Sequence, residues 1–452
     1  MFQFLRIAIR NLIKSRTRSL ILGGSIASVT MLLVILMAIT SGVQKTMLDN
    51  ALTLLSGHIN IAGFYKISLS SAAPMVTDYE PLDKLARESV PEAIMIIDRL
   101  KAYGKLISET DSLMIPMWGV NVARERSVLG RLSLAKKSDY LESSALKPGE
   151  SDVEGDVFEL EKPKTIVIFA TQAKKLKLRV GDMLTISMPT YRNMTNTMDV
   201  RVVAVLKNVG MMSNFSVFLN AEDTRLIYQM KATSTGQIMI YLPNKNLVPE
   251  VENRLRKILA EKKYELMEKQ SLPFWMKFEQ VAAESWTGQK IDVTTWEDET
   301  AFIKWVIDIF HVLTYLLTTV LMIIIVLGLM NTLWMSIKER TNEVGTLRAI
   351  GLQRRLVMLM FVIESLVLSF TSTLVGIGAG SLISMGLNRM RIGIKSEAFQ
   401  MFLMSDVLTF NINPLDLVQA FVIITVFITL GSLIPSYKAS KMKPITAINH
   451  IN

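Results

Sequence analysis

The stretch Glu343-Val-Gly-Thr-Leu-Arg348-Ala-Ile-Gly351 carries the most specific chemistry in this sequence. Glu343 and Arg348 are not at the i,i+4 spacing at which opposite charges pair along a helix. Both are therefore expected to reach outward to a partner. The segment is short, charged and helix-prone, it ends in glycine, and it lies between two long apolar runs. That combination suits a docking surface that a soluble partner pushes, or a solvated turn that merely connects two spans. Reaction chemistry has no positive support. The sequence holds no G-x-x-x-x-G-K-[ST] phosphate loop, no H-E-x-x-H zinc pair and no G-x-S-x-G elbow. Its three histidines, His58, His311 and His450, are too scattered for a metal site. The chain is expected to be non-catalytic and to bind no metal or cofactor of its own.

The elements that position this stretch are membrane spans. Four apolar runs are long enough to cross a bilayer, which takes about 20 residues each. They cover Leu20 to Thr40, Val306 to Met335, Leu356 to Leu387 and Leu417 to Ile434. Basic residues set the orientation. Arg6, Arg10, Lys14, Arg16 and Arg18 precede the first run, and Lys338, Arg340, Arg348, Arg354 and Arg355 fill the loop after the second. Lys438, Lys441 and Lys443 follow the fourth. With four spans all three clusters fall on one side, which is then cytoplasmic. The net charge of +10 is mostly this topology signal, and nucleic acid is not expected as a partner.

Residues 2 to 14 alternate apolar and basic positions at helical spacing, as an interfacial amphipathic helix does. It is read as an anchor, or as an elbow that tilts the first span. The N-terminus is taken as an uncleaved anchor rather than a signal peptide, because the apolar stretch is too long. Between the first and second spans lie roughly 260 residues of ordinary globular composition, enough for a real core. Without any cysteine, no disulfide supports it. Strands are expected near residues 56–63, 114–122, 165–170, 183–188, 199–206, 216–219 and 236–242. Helices are expected from Pro81 and over 171–178, 221–230 and 247–263. Residues 136–164 and 189–197 read as polar connectors. The domain is α+β.

The pattern Glu343-x-Gly345-x-x-Arg348-Ala349-x-Gly351 directly after a span resembles the signature of the FtsX/MacB-type ABC transporter permeases. Pro435-x-x-x-Ala439-x-x-x-x-Pro444 resembles the ending of the same family. Leu176 to Met183 and Val202 to Tyr228 resemble its lipoprotein-releasing LolC/LolE branch. The resemblance implies a membrane α-helical fold of four transmembrane helices, with a large extracytoplasmic α+β domain (a MacB-like periplasmic core) inserted between helices 1 and 2. Its layout is a cytoplasmic amphipathic helix at 1–18, spans at 19–42, 305–336, 355–388 and 415–437, and the external domain at 43–304, in which an inner subdomain at about 160–232 is open. A coupling loop occupies 337–354, an external loop 389–414 and a cytoplasmic tail 438–452.

The resemblance also implies partners. Separate ABC ATPase subunits, which bind ATP and Mg, would dock on the coupling loop. A second permease chain, the same or different, would complete the membrane unit in a bacterial inner membrane, with both termini cytoplasmic. Acylated lipoprotein cargo would enter between the outer halves of spans one and two, near Ile35, Ile39, Val43, Ile307, Phe310, Leu313 and Leu317. LolC-like chains carry a long hook for a periplasmic chaperone where this chain has the short 189–197 segment. Only a small contact through Pro189, Tyr191 and Met194 is expected there, which favours a LolE-like role or a system without that chaperone. An efflux permease for another substrate, or an FtsX-like scaffold activating a cell-wall hydrolase, are the alternatives.

Other residues stay open between two readings. Glu364, inside the third span, either hydrogen-bonds a neighbouring span or takes part in coupling. Asp308 and His311 mark the interface or touch a polar cargo head. Gly376, Gly378 and Gly380 pack the spans together, form a dimer seam or mark a helix that must slide. The aromatics from Phe274 to Trp305, with 28 methionines in the chain, are core or an apolar surface for acyl chains.

Overall fold

The computed structural model describes residues 2–69, 72–141, 151–192, 194–339, 341–394 and 396–441. The expected loop segment 142–150, Arg340, Pro444, His450 and most of the tail from 438 lie outside them, as do the side chains of Trp275, Phe302 and Glu343. The described chain forms two compact units. One comprises Met1–Lys45, Val306–Gly393 and Val407–Asn452; the other comprises Thr46–Trp305 and Ile394–Asp406.

The first unit is helical. Helix α1 (Phe2–Lys14) precedes α2 (Arg16–Leu54), whose stretch Ser19–Leu52 is long and apolar enough to cross a membrane. In α1, Ala8 is buried while Ile7, Ile9 and Ile13 are exposed beside Arg6, Arg10 and Lys14. An apolar face turned away from protein is what a helix lying in a lipid interface presents.

The second unit is built on one nine-stranded sheet in the order β3-β7-β4-β6-β5-β2-β8-β1-β9. The strands are β1 (Ile59–Lys66), β2 (Met95–Ile107), β3 (Ser112–Val120), β4 (Thr165–Phe169), β5 (Met183–Pro189), β6 (Thr195–Leu206), β7 (Val217–Asn220), β8 (Gln237–Tyr241) and β9 (Gly288–Thr295). All neighbours are antiparallel except β3–β7 and β4–β6. Helices α3 (Glu80–Ser89) and α4 (Val248–Glu261) start with Pro at N1/N2, where a missing N–H costs nothing.

Two strands escape the sequence pattern. β2 reads Met-Ile-Ile-Asp-Arg-Leu-Lys-Ala, with Asp98, Arg99 and Lys101 all buried, so apolar alternation fails there. β9 carries buried Asp292 and Thr294 on one face and Ile291 and Val293 on the other. Neither reads as a strand in the sequence, because their buried polar residues face protein rather than water and break the apolar alternation. The 189–197 connector is corrected too: Met183–Pro189 pairs with Thr195–Arg201 in continuous register, so the segment is a tight hairpin with only its tip off the ladder. β2 joins the two halves of the sheet, pairing through Met95–Arg99 with β8 and through Lys105–Ile107 with β5. The inner subdomain is therefore part of one continuous sheet with two cores. One core gathers Leu106, Ile166, Ile186, Val202 and Leu219; the other gathers Ile59, Ile61, Ile240, Leu255 and Val293.

The remaining helices are α5 (Ala301–Glu339), α6 (Thr341–Ala349), α7 (Arg354–Met390), α8 (Glu397–Leu403) and α9 (Pro414–Ser440). Ile303–Glu339, Arg354–Met390 and Pro414–Ser440 complete the set of four membrane-length helices among the described residues. The loop between the third and fourth of them is not a free loop. Residues Ile394–Asp406, including α8, belong to the soluble unit, where Asp406 pairs with Lys207 and Asn50 Nδ2 donates to Met404 O at 2.8 Å.

The glycines of the third span face inward. A Cβ on Gly376 would lie 2.6 Å from Ala27 O and 2.5 Å from Thr30 Cβ, and one on Gly380 would meet Val34 at 2.9 Å. These positions let the third and first spans approach closely. Gly378 has nothing within 4 Å. Packing within the chain is therefore the role of Gly376 and Gly380.

Candidate functional site: the coupling helix and the ends of the spans

Helix α6 fills the segment singled out in the sequence. Its start is tied to the helix before it: Thr341 Oγ1 donates to Ile337 O and Lys338 O, at 3.0 and 2.8 Å. Its buried face presents Val344 and Gly345. Val344 packs in a cluster with Ile337 of α5, Val357, Met360 and Phe361 of α7, and Ala439 of α9, with Leu352 alongside. Three membrane-length helices thus share one small apolar contact with α6. Gly345, next to Val344 on the helix, is buried as well.

The helix ends at Gly351, with φ +102°. That conformation is reached cheaply by glycine alone, which is why the sequence needs glycine there. Arg348 is not free to reach outward as expected. Its Nη1 donates to Leu352 O at 3.0 Å, while Nε is buried without a hydrogen-bond partner. The guanidinium closes the C-terminal end of α6, where the helix dipole favours a cation. The solvent face of the helix is instead Asn342, Thr346, Ala349 and Ile350. Ile350 is 80 % exposed. Sequence reasoning passed over Ile350, which falls at an unspecified position between Ala349 and Gly351.

The other expected positions are dispersed. Among the cavity residues, Val43 and Ile307 are buried, Ile35, Ile39 and Phe310 are half-buried, and Leu313 and Leu317 are exposed. The hydroxyls of Thr40 and Thr314 hydrogen-bond at 2.9 Å, joining α2 to α5 in this stretch. At the hairpin tip Pro189 pairs opposite Thr195, Tyr191 N donates to Tyr228 O at 3.2 Å, and Met194 is exposed. Glu364 is buried and lines a cavity of about 20 Å³ with Ser19, Thr332, Ser336 and Ser365. That is room for about one water. His311 stacks on Tyr315, with centroids 6.4 Å apart. His58 Nδ1 accepts from Leu242 N at 3.2 Å, and burial pushes its pKa down against the field of Asp49. No cluster of candidate metal ligands occurs among the described residues.

The soluble unit has buried charges that the sequence did not flag. Arg99 and Glu125 are both fully buried and bond at 2.6 Å, and Arg99 Nη1 also donates to Leu54 O at 2.9 Å. Gln237 Nε2 donates to Leu55 O at 3.3 Å and Tyr241 Oη to Leu52 O at 3.0 Å. Burial pushes the Tyr241 phenol up to about 12. Side chains from β2 and β8 therefore satisfy the carbonyls that the end of α2 leaves open. Lys277 and Asp292 form a second buried pair at 2.6 Å. Lys101 Nζ, buried without a hydrogen-bond partner, sits 3.8 Å from the centre of the Phe274 ring. Phe274, Phe278 and Trp286 pack around Phe64, Met267 and Val281, so these aromatics serve as core.

Comparison with known proteins places this architecture. The MacB-like periplasmic core domain family matches residues 20–258, and the FtsX-like permease C-terminal family matches residues 315–444. Curated relatives include a macrolide export ATP-binding/permease protein, MacB, of Bdellovibrio bacteriovorus, 32% identical over 124 residues. Another is the uncharacterized ABC transporter permease YvrN of Bacillus subtilis, 29% identical over 123 residues. The matched stretch is 27% of this chain in both, and spans 17% and 26% of those relatives' own lengths. The periplasmic region of MacB from Actinobacillus actinomycetemcomitans covers 57% of this chain and 97% of its own, at 12% identity and a TM-score of 0.27. The chain belongs to the ABC transporter permeases of the FtsX/MacB type, with a MacB-like periplasmic core domain joined to FtsX-like spans.

Proposed function

We propose that this chain is the non-catalytic permease subunit of an ABC complex. ATP and Mg are bound by a separate ATPase, whose closure pushes α6, and the spans convert the push into a change in the soluble domain. The observation that carries this reading is the apolar cluster that gathers Val344 with residues of α5, α7 and α9. A displacement of α6 cannot be absorbed by one helix, because close-packed contacts transmit strain. The docking contact is Ile350, supported by the exposed Thr346 and Ala349, with Arg348 and Gly351 holding the helix end in shape.

In this reading the chain lies in a bacterial inner membrane with both termini cytoplasmic and the soluble domain outside, next to a second permease chain. The cargo is an acylated lipoprotein released from the outer leaflet, admitted beside the exposed Leu313 and Leu317 once the Thr40–Thr314 contact opens. The names of the relatives favour a second reading, export of a small molecule. Co-purification with the ATPase tests the coupling. Ile350→Asp and Arg348→Glu are each expected to abolish retention of the ATPase while membrane insertion stays intact. Normal retention by both variants sinks the docking claim. Cargo is decided by mass spectrometry of the purified wild-type complex: acylated lipoproteins support release, and their absence beside an export-channel protein favours efflux.

A further inference from the structure

Two arginines at the far end of the third span have no part in this mechanism. Arg389 and Arg391 flank the end of α7, on the side opposite the three basic clusters that set the topology. Both are exposed, and neither has an acidic partner among the described residues. With Asn388, Val407 and Thr409 they line a cavity of about 610 Å³. That volume is in the range of small-ligand sites, roughly 300–1,000 Å³.

The walls of this cavity are held in place. Leu408 N donates to Ile392 O at 2.9 Å, and Gly393 and Val407 form a β-bridge. Asn388 Oδ1 accepts from Phe410 N at 3.2 Å. Asn411 is tied to α2 twice, through N to Ala38 O and through Nδ2 to Ser41 Oγ, both at 2.9 Å. A Cβ on Gly42 would lie 2.1 Å from Thr409 O, so only glycine lets α2 press against this wall. Arg391 itself adopts a left-handed backbone, φ 44°, in closing the helix.

The surroundings are amphiphilic. On the same helix, Leu382, Met385 and Met390 are exposed and apolar. Guanidinium groups above an apolar helix surface match a phosphodiester above acyl chains. The planar fork of arginine suits phosphate better than an ammonium does. Simple favourable contact with the helix dipole explains one terminal cation. It does not explain a second one, nor a structured cavity between them.

We propose that Arg389 and Arg391 hold the phosphate of a membrane phospholipid headgroup, with the cavity beside them taking the rest of the headgroup. The inference needs only that the four helices span a membrane, so it stands or falls apart from the ATPase and cargo readings. The test uses the full-length protein in detergent micelles, with short-chain dihexanoyl phosphatidylglycerol as probe and native mass spectrometry as readout. R389Q/R391Q is expected to bind the probe at least about tenfold more weakly than the wild type, since two charge-assisted contacts are lost. R389K/R391K keeps both charges and is expected to lose about threefold, because the fork geometry is lost. Dihexanoylglycerol, which lacks the phosphate, should not bind. Equal binding by the wild type and both variants overturns the proposal. Competition by inorganic phosphate at the same concentration as the lipid overturns the lipid assignment in favour of a free-anion site.

Discussion

Replacing Arg99 by Met tests how the end of the first-span helix is held. Arg99 is buried, pairs with buried Glu125 at 2.6 Å, and donates to Leu54 O. In R99M the Glu125 carboxylate stays buried with neither of its oxygens paired to Arg99, one of them being without a partner already. Removing one member of a buried pair costs about 3–5 kcal/mol. At ~2–4 °C per kcal/mol for a unit of this size, the thermal midpoint of the soluble unit should fall by about 6–20 °C. Intrinsic tryptophan fluorescence of the full chain in detergent reads that shift. Burial holds Glu125 above the usual carboxylate range even beside Arg99. A carboxyl whose folded pKa is raised is stabilised in the fold by protonation, so the folded state gains relative to the unfolded one as pH falls toward that pKa. The deficit of R99M should therefore narrow as pH falls. R99M/E125M, with no orphaned charge, should recover most of the loss. A shift below about 2 °C in R99M at neutral pH, or no rescue in the double variant, would refute the argument that this ion pair fixes the helix end.

Other outcomes follow from the same structure. Gly376→Leu should destabilise the membrane unit by about 1–3 kcal/mol through overpacking against Ala27 and Thr30, while Gly378→Leu should be neutral; heat-induced loss of the folded band on a gel checks both. Lys101→Met should stabilise the soluble unit by about 1–3 kcal/mol by removing a buried donor without a partner. Burial lowers the Lys101 pKa in the fold, so the unfolded chain binds its proton more tightly and wild-type stability rises with pH between the folded and unfolded values. The gain in K101M is thus largest below that window and disappears toward pH ~10.4, which thermal melts across pH will show. Gly351→Val, forcing a β-branched residue to a φ of +102°, should cost about 1–3 kcal/mol locally and lower ATP turnover stimulated by cargo more than it lowers assembly.

The sequence alone determined the parts of this protein that depend on local composition. Four apolar runs, three basic clusters and a charged segment ending in glycine are one-dimensional signals, because bilayer thickness, the orientation rule and left-handed backbone each act on neighbouring residues. Most strands of the soluble domain were legible for the same reason, as apolar alternation facing a core. Tertiary structure decided what local patterns cannot carry. β2 and β9 were hidden because their charged residues are buried and paired: Arg99 with Glu125 across the fold, Asp292 with Lys277. Whether a given glycine packs inward depended on which helix came alongside, so Gly376 and Gly380 were separated from Gly378 only by the position of the first span. Arg348 read as an outward contact and became a helix cap, while Ile350, an unspecified position in the sequence pattern, became the exposed face, because which side of a nine-residue helix meets protein is set by the three spans packed beneath it.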